Sequence, residues 1–174
     1  KELKPIALMR ERIASDDEPS VARFNSLFYL GEMILKMTVV GLVAAVADDR
    51  ERQRYGLMYK LVRADGLGHW AQSLRHLLDG PAVEHLDPAT VEERRDLLRE
   101  AGPGEWQYDA IARLDACLRA LKPSQKAADP LPRTVNGYRW ATDFVELRNR
   151  VKHGAPSARA LEELCDDLQA SVER

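Results

Sequence analysis

The stretch Val21–Ala47, VARFNSLFYLGEMILKMTVVGLVAAVA, decides the fold class. Its apolar residues Val21, Phe24, Leu27, Phe28, Ile34, Leu35, Leu42, Val43 and Val46 recur at three- and four-residue steps. One face of an α-helix repeats in that way, so the spacing predicts a single helix of about 28 residues, ended by Asp48–Arg50. Gly31, Thr38, Gly41 and Ala45 fall on or near the same stripe, small enough to let another helix approach closely.

The flanking sequence carries the same period. Leu3–Ala14 reads as a short first helix, ended by the acidic break Ser15–Glu18, after which Pro19 suits a first helical turn. A helix over about Glu51–Ala64 presents Tyr55, Met58, Leu61 and Val62 as its apolar face, and Asp65-Gly66 is a turn signal. Gly68-His69-Trp70 opens the next helix, where Trp70, Leu74, Leu77 and Leu78 repeat correctly until Asp79-Gly80-Pro81 closes it. Asp87-Pro88, or the capping-box pattern Thr90-x-x-Glu93, starts another, to about Glu100. Trp106–Leu121 follows with Ile111, Leu114, Cys117, Leu118 and Leu121 inward. Lys122–Gly137 is irregular, and Tyr138–Lys152 and Ser157–Val172 complete the series. There is no strand pattern and no internal repeat. The expectation is an all-α chain, a bundle of about six or seven helices. Residues 1–18 form an N-terminal helix or appendage, and residues 19–174 form the helical domain.

With 174 residues, 45% of them hydrophobic and 31% charged, the chain has the composition of a soluble domain with a sizeable core. The formal net charge of −2 gives no global basic field, so any nucleic-acid site must be a local patch. The two cysteines, Cys117 and Cys165, sit in apolar helical patterns away from other metal-ligand types and read as reduced, buried thiols of a cytoplasmic protein. The uncharged stretch Met37–Ala47 is too short to span a bilayer, which takes about 20 apolar residues, so no membrane partner is expected. The chain begins Lys1-Glu2-Leu3, and the expectation is that it belongs to something longer, with a fused domain or a regulatory partner protein.

The chemistry gathers in Glu146-Leu147-Arg148-Asn149-Arg150-Val151-Lys152-His153, followed by Gly154 and Pro156. An arginine keeps its charge and forks onto phosphate oxygens, and a histidine gives or takes a proton near neutrality, so the pair has what metal-free RNA cleavage requires. Asn149 and His153, four apart, share a helix face. Arg148 and His153, five apart, lie about 140° round the axis, so an intact helix splays them. Gly154 is a natural helix terminator, which would leave His153 in a fraying last turn, free to swing towards Arg148. A plainer role is open to the same pair, complementing the dipole at a helix C-terminus. Arg150 and Lys152 add positive charge, with Arg139 nearby in sequence, although such a run also reads as a solvated helix face.

Arg148-Asn149-x-x-x-His153 resembles the Arg-x4–6-His signature of the HEPN superfamily, whose members are small helical bundles. Asn149 matches the polar residue that often follows the arginine. The resemblance in layout covers about residues 20–172, and only the short motif is specific. It implies a metal-independent endoribonuclease of a toxin–antitoxin or antiviral defence system, working without a cofactor as a homodimer on RNA. It also leaves room for a silent relative that dimerises or holds a nucleotide or a partner protein. On this reading Arg148, Asn149 and His153 are catalytic, and the motif helix packs against the long Val21–Ala47 helix. Glu32 and Lys36 stand four apart, as does a Glu-x3-Lys pair near the site in some HEPN families. The plain reading is a surface ion pair contributing about 0.3–0.5 kcal/mol. Arg150, Lys152, Glu32 and Lys36 are candidate substrate-binding residues. His69 and His76 share a helix face without the further ligands a metal needs, so no metal is expected.

Overall fold

A computed structural model describes residues 3–15, 18–47, 51–121 and 130–173. Nine α-helices account for most of them: α1 Lys4–Ala14, α2 Val21–Ala44, α3 Gln53–Val62, α4 Leu67–Asp79, α5 Val91–Leu98, α6 Trp106–Ala120, α7 Gly137–Gly154, α8 Ala158–Glu163 and α9 Cys165–Val172. The chain is an all-α bundle, and its described residues hold no strand beyond two isolated bridges. The last expected helix is two, α8 and α9, joined at Leu164. Of the expected irregular stretch Lys122–Gly137, residues 122–129 lie outside the described ones.

α2 is the axis of the bundle. The Ser20 hydroxyl, rather than a proline-led turn, caps it by accepting from the Arg23 N–H at 3.1 Å. Phe24, Leu27, Leu30, Leu35 and Val39 are buried beneath α1, α4, α8 and α9. The helix stops at Ala44, short of Ala47. Residues 45–47 instead turn their backbone to the segment before α5, through Ala47 N–H to His85 C=O at 2.6 Å and Asp87 N–H to Ala45 C=O at 2.7 Å. By length and composition α2 is apolar enough to cross a membrane, unlike the shorter uncharged stretch within it. In the bundle part of it is covered by protein, while Tyr29 and Val40 stand exposed. Ile13 of α1 belongs to the same core, so the N-terminal helix shares the packing of the domain rather than hanging from it.

α7 packs on α6, α4 and α5, and its Phe144 lies directly on Gly31 of α2. Its entry is fixed by a two-bond bridge, Ala101 N–H to Val135 C=O at 2.7 Å and Val135 N–H to Ala101 C=O at 2.9 Å. A polar pin crosses the core: Trp140 Nε1 donates to Ser171 Oγ at 2.9 Å, and that hydroxyl donates to the Ala110 carbonyl at 2.8 Å. All three groups are thereby satisfied, as burial demands. Before α5, the expected Thr90/Glu93 box does not form. Asp87 Oδ1 instead accepts from Ala89 N–H at 2.8 Å and caps the 3-10 turn Pro88–Thr90 that leads into α5.

α3 departs from expectation. Leu57 is its buried residue, while Tyr55, Met58, Tyr59 and Val62 stand exposed. Two stripes compete on this helix. The compact Leu57 and Leu61 have no polar atom to keep wet, whereas the tyrosines keep their hydroxyls in water, and Arg63 covers the Tyr59 ring and donates to its oxygen.

Both cysteines are free and buried, as their sequence pattern implies. Burial pushes the Cys117 thiol up to about 12, and that of Cys165 upward too. Neither should react with an alkylating reagent at pH 8 until the protein unfolds, which mass spectrometry reads directly. The unfolded thiol titrates near 8.5. The folded state therefore holds the Cys117 proton more tightly, and that contribution to stability should be full below about pH 8.5 and fade as pH rises towards 12.

Candidate active site

α7 carries the Arg148–His153 motif without interruption. Gly154 is its last residue rather than its terminator. The left-handed position falls one residue later, on Ala155, with φ 42° and ψ 57°. A Cβ in that region is strained by about 1–2 kcal/mol, and glycine is the usual occupant of such a helix end. Ala155→Gly should therefore stabilise the protein by about 1 kcal/mol, read as a shift of the urea midpoint at constant slope.

Because the helix is intact through His153, the imidazole does not swing back to Arg148. Within one chain the two side chains leave the axis about 140° apart. Asn149 and His153 are both exposed, as is Lys152. Arg148 faces the other way, into a junction of α7 with α2 and α4. Its Nε lies 3.7 Å from Glu32 Oε1, while Glu32 Oε2 accepts from Lys36 Nζ at 3.2 Å. The Lys36 ammonium in turn sits 5.9 Å from the centre of the Trp70 ring.

This corrects the plain reading of Glu32 and Lys36. The carboxylate is only 19% exposed, and it holds two cations rather than one. Coulomb attraction between partly buried groups is screened less than at the surface, so the bridge fixes the direction of the guanidinium. The cluster keeps one net positive charge, with Lys36 the more exposed member and Arg148 partly so. That is a small anion-receptive patch on an otherwise acidic chain.

Arg150 departs from its expected role. Its Nε donates to Glu146 Oε1 at 2.8 Å, and another guanidinium nitrogen donates to the Leu118 carbonyl at 2.7 Å. That carbonyl lies near the C-terminal end of α6, so Arg150 clamps α7 to α6. Arg139 is likewise engaged, by Asp143 at 2.9 Å. The residue that sequence reasoning passed over here is Trp70. It fits the apolar repeat of α4, and nothing local marks its position beside Lys36. A separate, largely apolar cavity of about 540 Å3 opens beside the first turns of α7, at Gly137, Trp140 and Ala141. It lies away from Arg148 and His153.

Comparison with family models, with curated proteins and with solved structures finds no match for this chain.

Proposed function

We propose that the protein is a metal-independent endoribonuclease of the HEPN type, acting in a toxin or antiviral defence setting, in which two chains supply one site. The observation that carries this reading is the Glu32 bridge: from α2 it holds Lys36 of α2 and Arg148 of α7 on one carboxylate, beside the helix end that exposes Asn149 and His153. In the reaction the 2′-hydroxyl of the RNA attacks the adjacent phosphorus. His153 takes the hydroxyl proton, or gives one to the departing 5′-oxygen, leaving a 2′,3′-cyclic phosphate and a free 5′-hydroxyl. Arg148 stabilises the charge that builds on the phosphate oxygens, and Lys36 and Lys152 add to the field. Asn149 shares the His153 face and orients the imidazole or the phosphate.

A single imidazole is half of an acid–base pair, and within one chain Arg148 and His153 diverge. A twofold contact between α7 helices would place the Arg148 of one chain near the His153 of the other and supply two of each group. The same divergence favours the second reading, a silent binding or dimerisation domain of a larger regulatory protein. Incubation of the protein with RNA in excess EDTA separates the routes. Cleavage should persist at full rate and leave cyclic phosphate ends. Loss on chelation with recovery on adding a divalent ion refutes the mechanism, and no cleavage of any RNA leaves the silent domain.

A further inference from the structure

Packed protein interiors leave few voids larger than a water molecule, yet the cavity beside the first turns of α7 measures about 540 Å3. Its walls are taken from the core itself. Leu35 of α2, Leu74 of α4 and Ile111 of α6, each no more than 2% exposed, line it together with Trp140 of α7. α1 adds Ile6 to the wall. The exposed lining residues Leu3, Arg10 and Trp106 mark where the cavity meets solvent.

Two small residues keep the space open. Ala110 of α6 and Ala141 of α7 both line it and are both buried, so a leucine at either position would take up part of it. The walls offer water little. The Trp140 N–H and the Ser171 hydroxyl, which also line the cavity, are spent on each other and on the Ala110 carbonyl. The Gln107 carboxamide oxygen accepts from Arg99 at 2.9 Å. A buried water needs two to four polar partners, and an apolar void of about 150 Å3 stays dry and takes up benzene instead. An empty void in a core costs stability as its volume grows, and a guest that sets carbon against leucine, isoleucine and tryptophan removes that cost. Among the described residues the charged members of the lining are Arg10, which is exposed, and Glu173, which is half-buried. One of each sign gives the cavity no preference for a net charge.

We propose that this cavity binds an uncharged, mainly hydrocarbon small molecule of roughly ten to twenty non-hydrogen atoms, on the scale at which about 150 Å3 takes benzene. The volume lies within the range of small-molecule sites, about 300–1,000 Å3, and such sites are mostly apolar. The cavity stands apart from Arg148 and His153, so it holds or fails separately from the ribonuclease reading.

Titration of the full chain into N-phenyl-1-naphthylamine, an uncharged aromatic that brightens in apolar surroundings, tests the site. Emission should rise and saturate at one probe per chain. 1-Decanol should displace the probe, and decanoate should do so at least tenfold less well. Saturating 1-decanol should also raise the melting temperature, because the guest binds only the folded chain. Ala110→Leu and Ala141→Leu fill the space and should each weaken probe binding about tenfold or more. Should either fail to fold, Thr38→Leu, half-buried on the same wall, should give the same loss. His153→Ala should bind the probe as the wild type does. A probe signal that never saturates, or a melting temperature that 1-decanol leaves unmoved, overturns the proposal. So does undiminished binding by a folded leucine variant, or loss of binding in folded His153→Ala, since either places the probe elsewhere. Displacement by decanoate as readily as by 1-decanol overturns the uncharged assignment.

Discussion

Gly31→Ala should destabilise the wild-type protein and yet be neutral or stabilising once Phe144 has been cut back to alanine. A Cβ built on Gly31 falls 2.4 Å from both Cε2 and Cζ of Phe144. That ring is buried and has nowhere to go: it stacks on Trp140 at 5.0 Å between centroids and on Phe28 at 5.1 Å. Overpacking of this kind costs about 1–3 kcal/mol. Against it stands the better helix propensity of alanine, worth roughly 1 kcal/mol. The net loss in the wild type should be up to about 2 kcal/mol. Phe144→Ala alone should lower stability by about 3–5 kcal/mol, or roughly 6–20 °C in melting temperature. In that background the steric term is gone and only the propensity gain remains, so Gly31→Ala should be neutral or raise stability by up to about 1 kcal/mol. Denaturant titration of the four proteins in the cycle measures the coupling. If Gly31→Ala shifts both backgrounds by the same amount, the α2–α7 contact is not as described.

That contact also marks the limit of what could be read from the chain. The stripe of small residues on α2 announces a close approach, and Gly31 makes one, but nothing lies within 4 Å of a Cβ added at Gly41. Periodicity gives the helices and their order because it records burial along one element. It does not record which of two apolar stripes wins, so α3 turns Leu57 inward and leaves Tyr55 and Met58 in water. Nor does it locate a helix end that a neighbour dictates: α2 gives up residues 45–47 to a backbone pairing with residues 85–87. For the site, the motif on α7 is local and legible. The Glu32–Arg148 bridge joins residues far apart in sequence, and no spacing rule reaches across that gap. The commitment of Arg150 to the Leu118 carbonyl is invisible for the same reason. The spacing therefore does not separate Arg150 from Lys152, whereas the fold ties Arg150 to α6 and leaves Lys152 exposed.

His153→Ala should abolish RNA cleavage while leaving the fold intact, and the way activity disappears in mixtures should report how many chains make the site. The imidazole is exposed at the end of α7, so its removal takes nothing from the core and should move the melting temperature by no more than a surface substitution does. Proton transfer by a positioned side chain contributes about 100- to 10,000-fold to rate, so loss of most or all measurable cleavage is the expected scale. A well-folded His153→Ala protein that cuts at the wild-type rate removes His153 from the mechanism. The mixing test goes further. When wild-type chains are exchanged with a roughly ninefold excess of His153→Ala chains, nearly all wild-type chains enter mixed dimers. If both imidazoles are needed, activity per wild-type chain should fall about tenfold. If each chain acts alone, it should not change. Arg148 and His153 point away from each other on one helix, so a chain acting alone needs a second proton-transfer group close to Arg148. Glu32 is an ionisable group in contact with Arg148, and it is also tied to Lys36. Unchanged specific activity in the mixture would therefore shift the search from the twofold contact to Glu32, and Glu32→Gln would then have to abolish cleavage in a chain that remains monomeric.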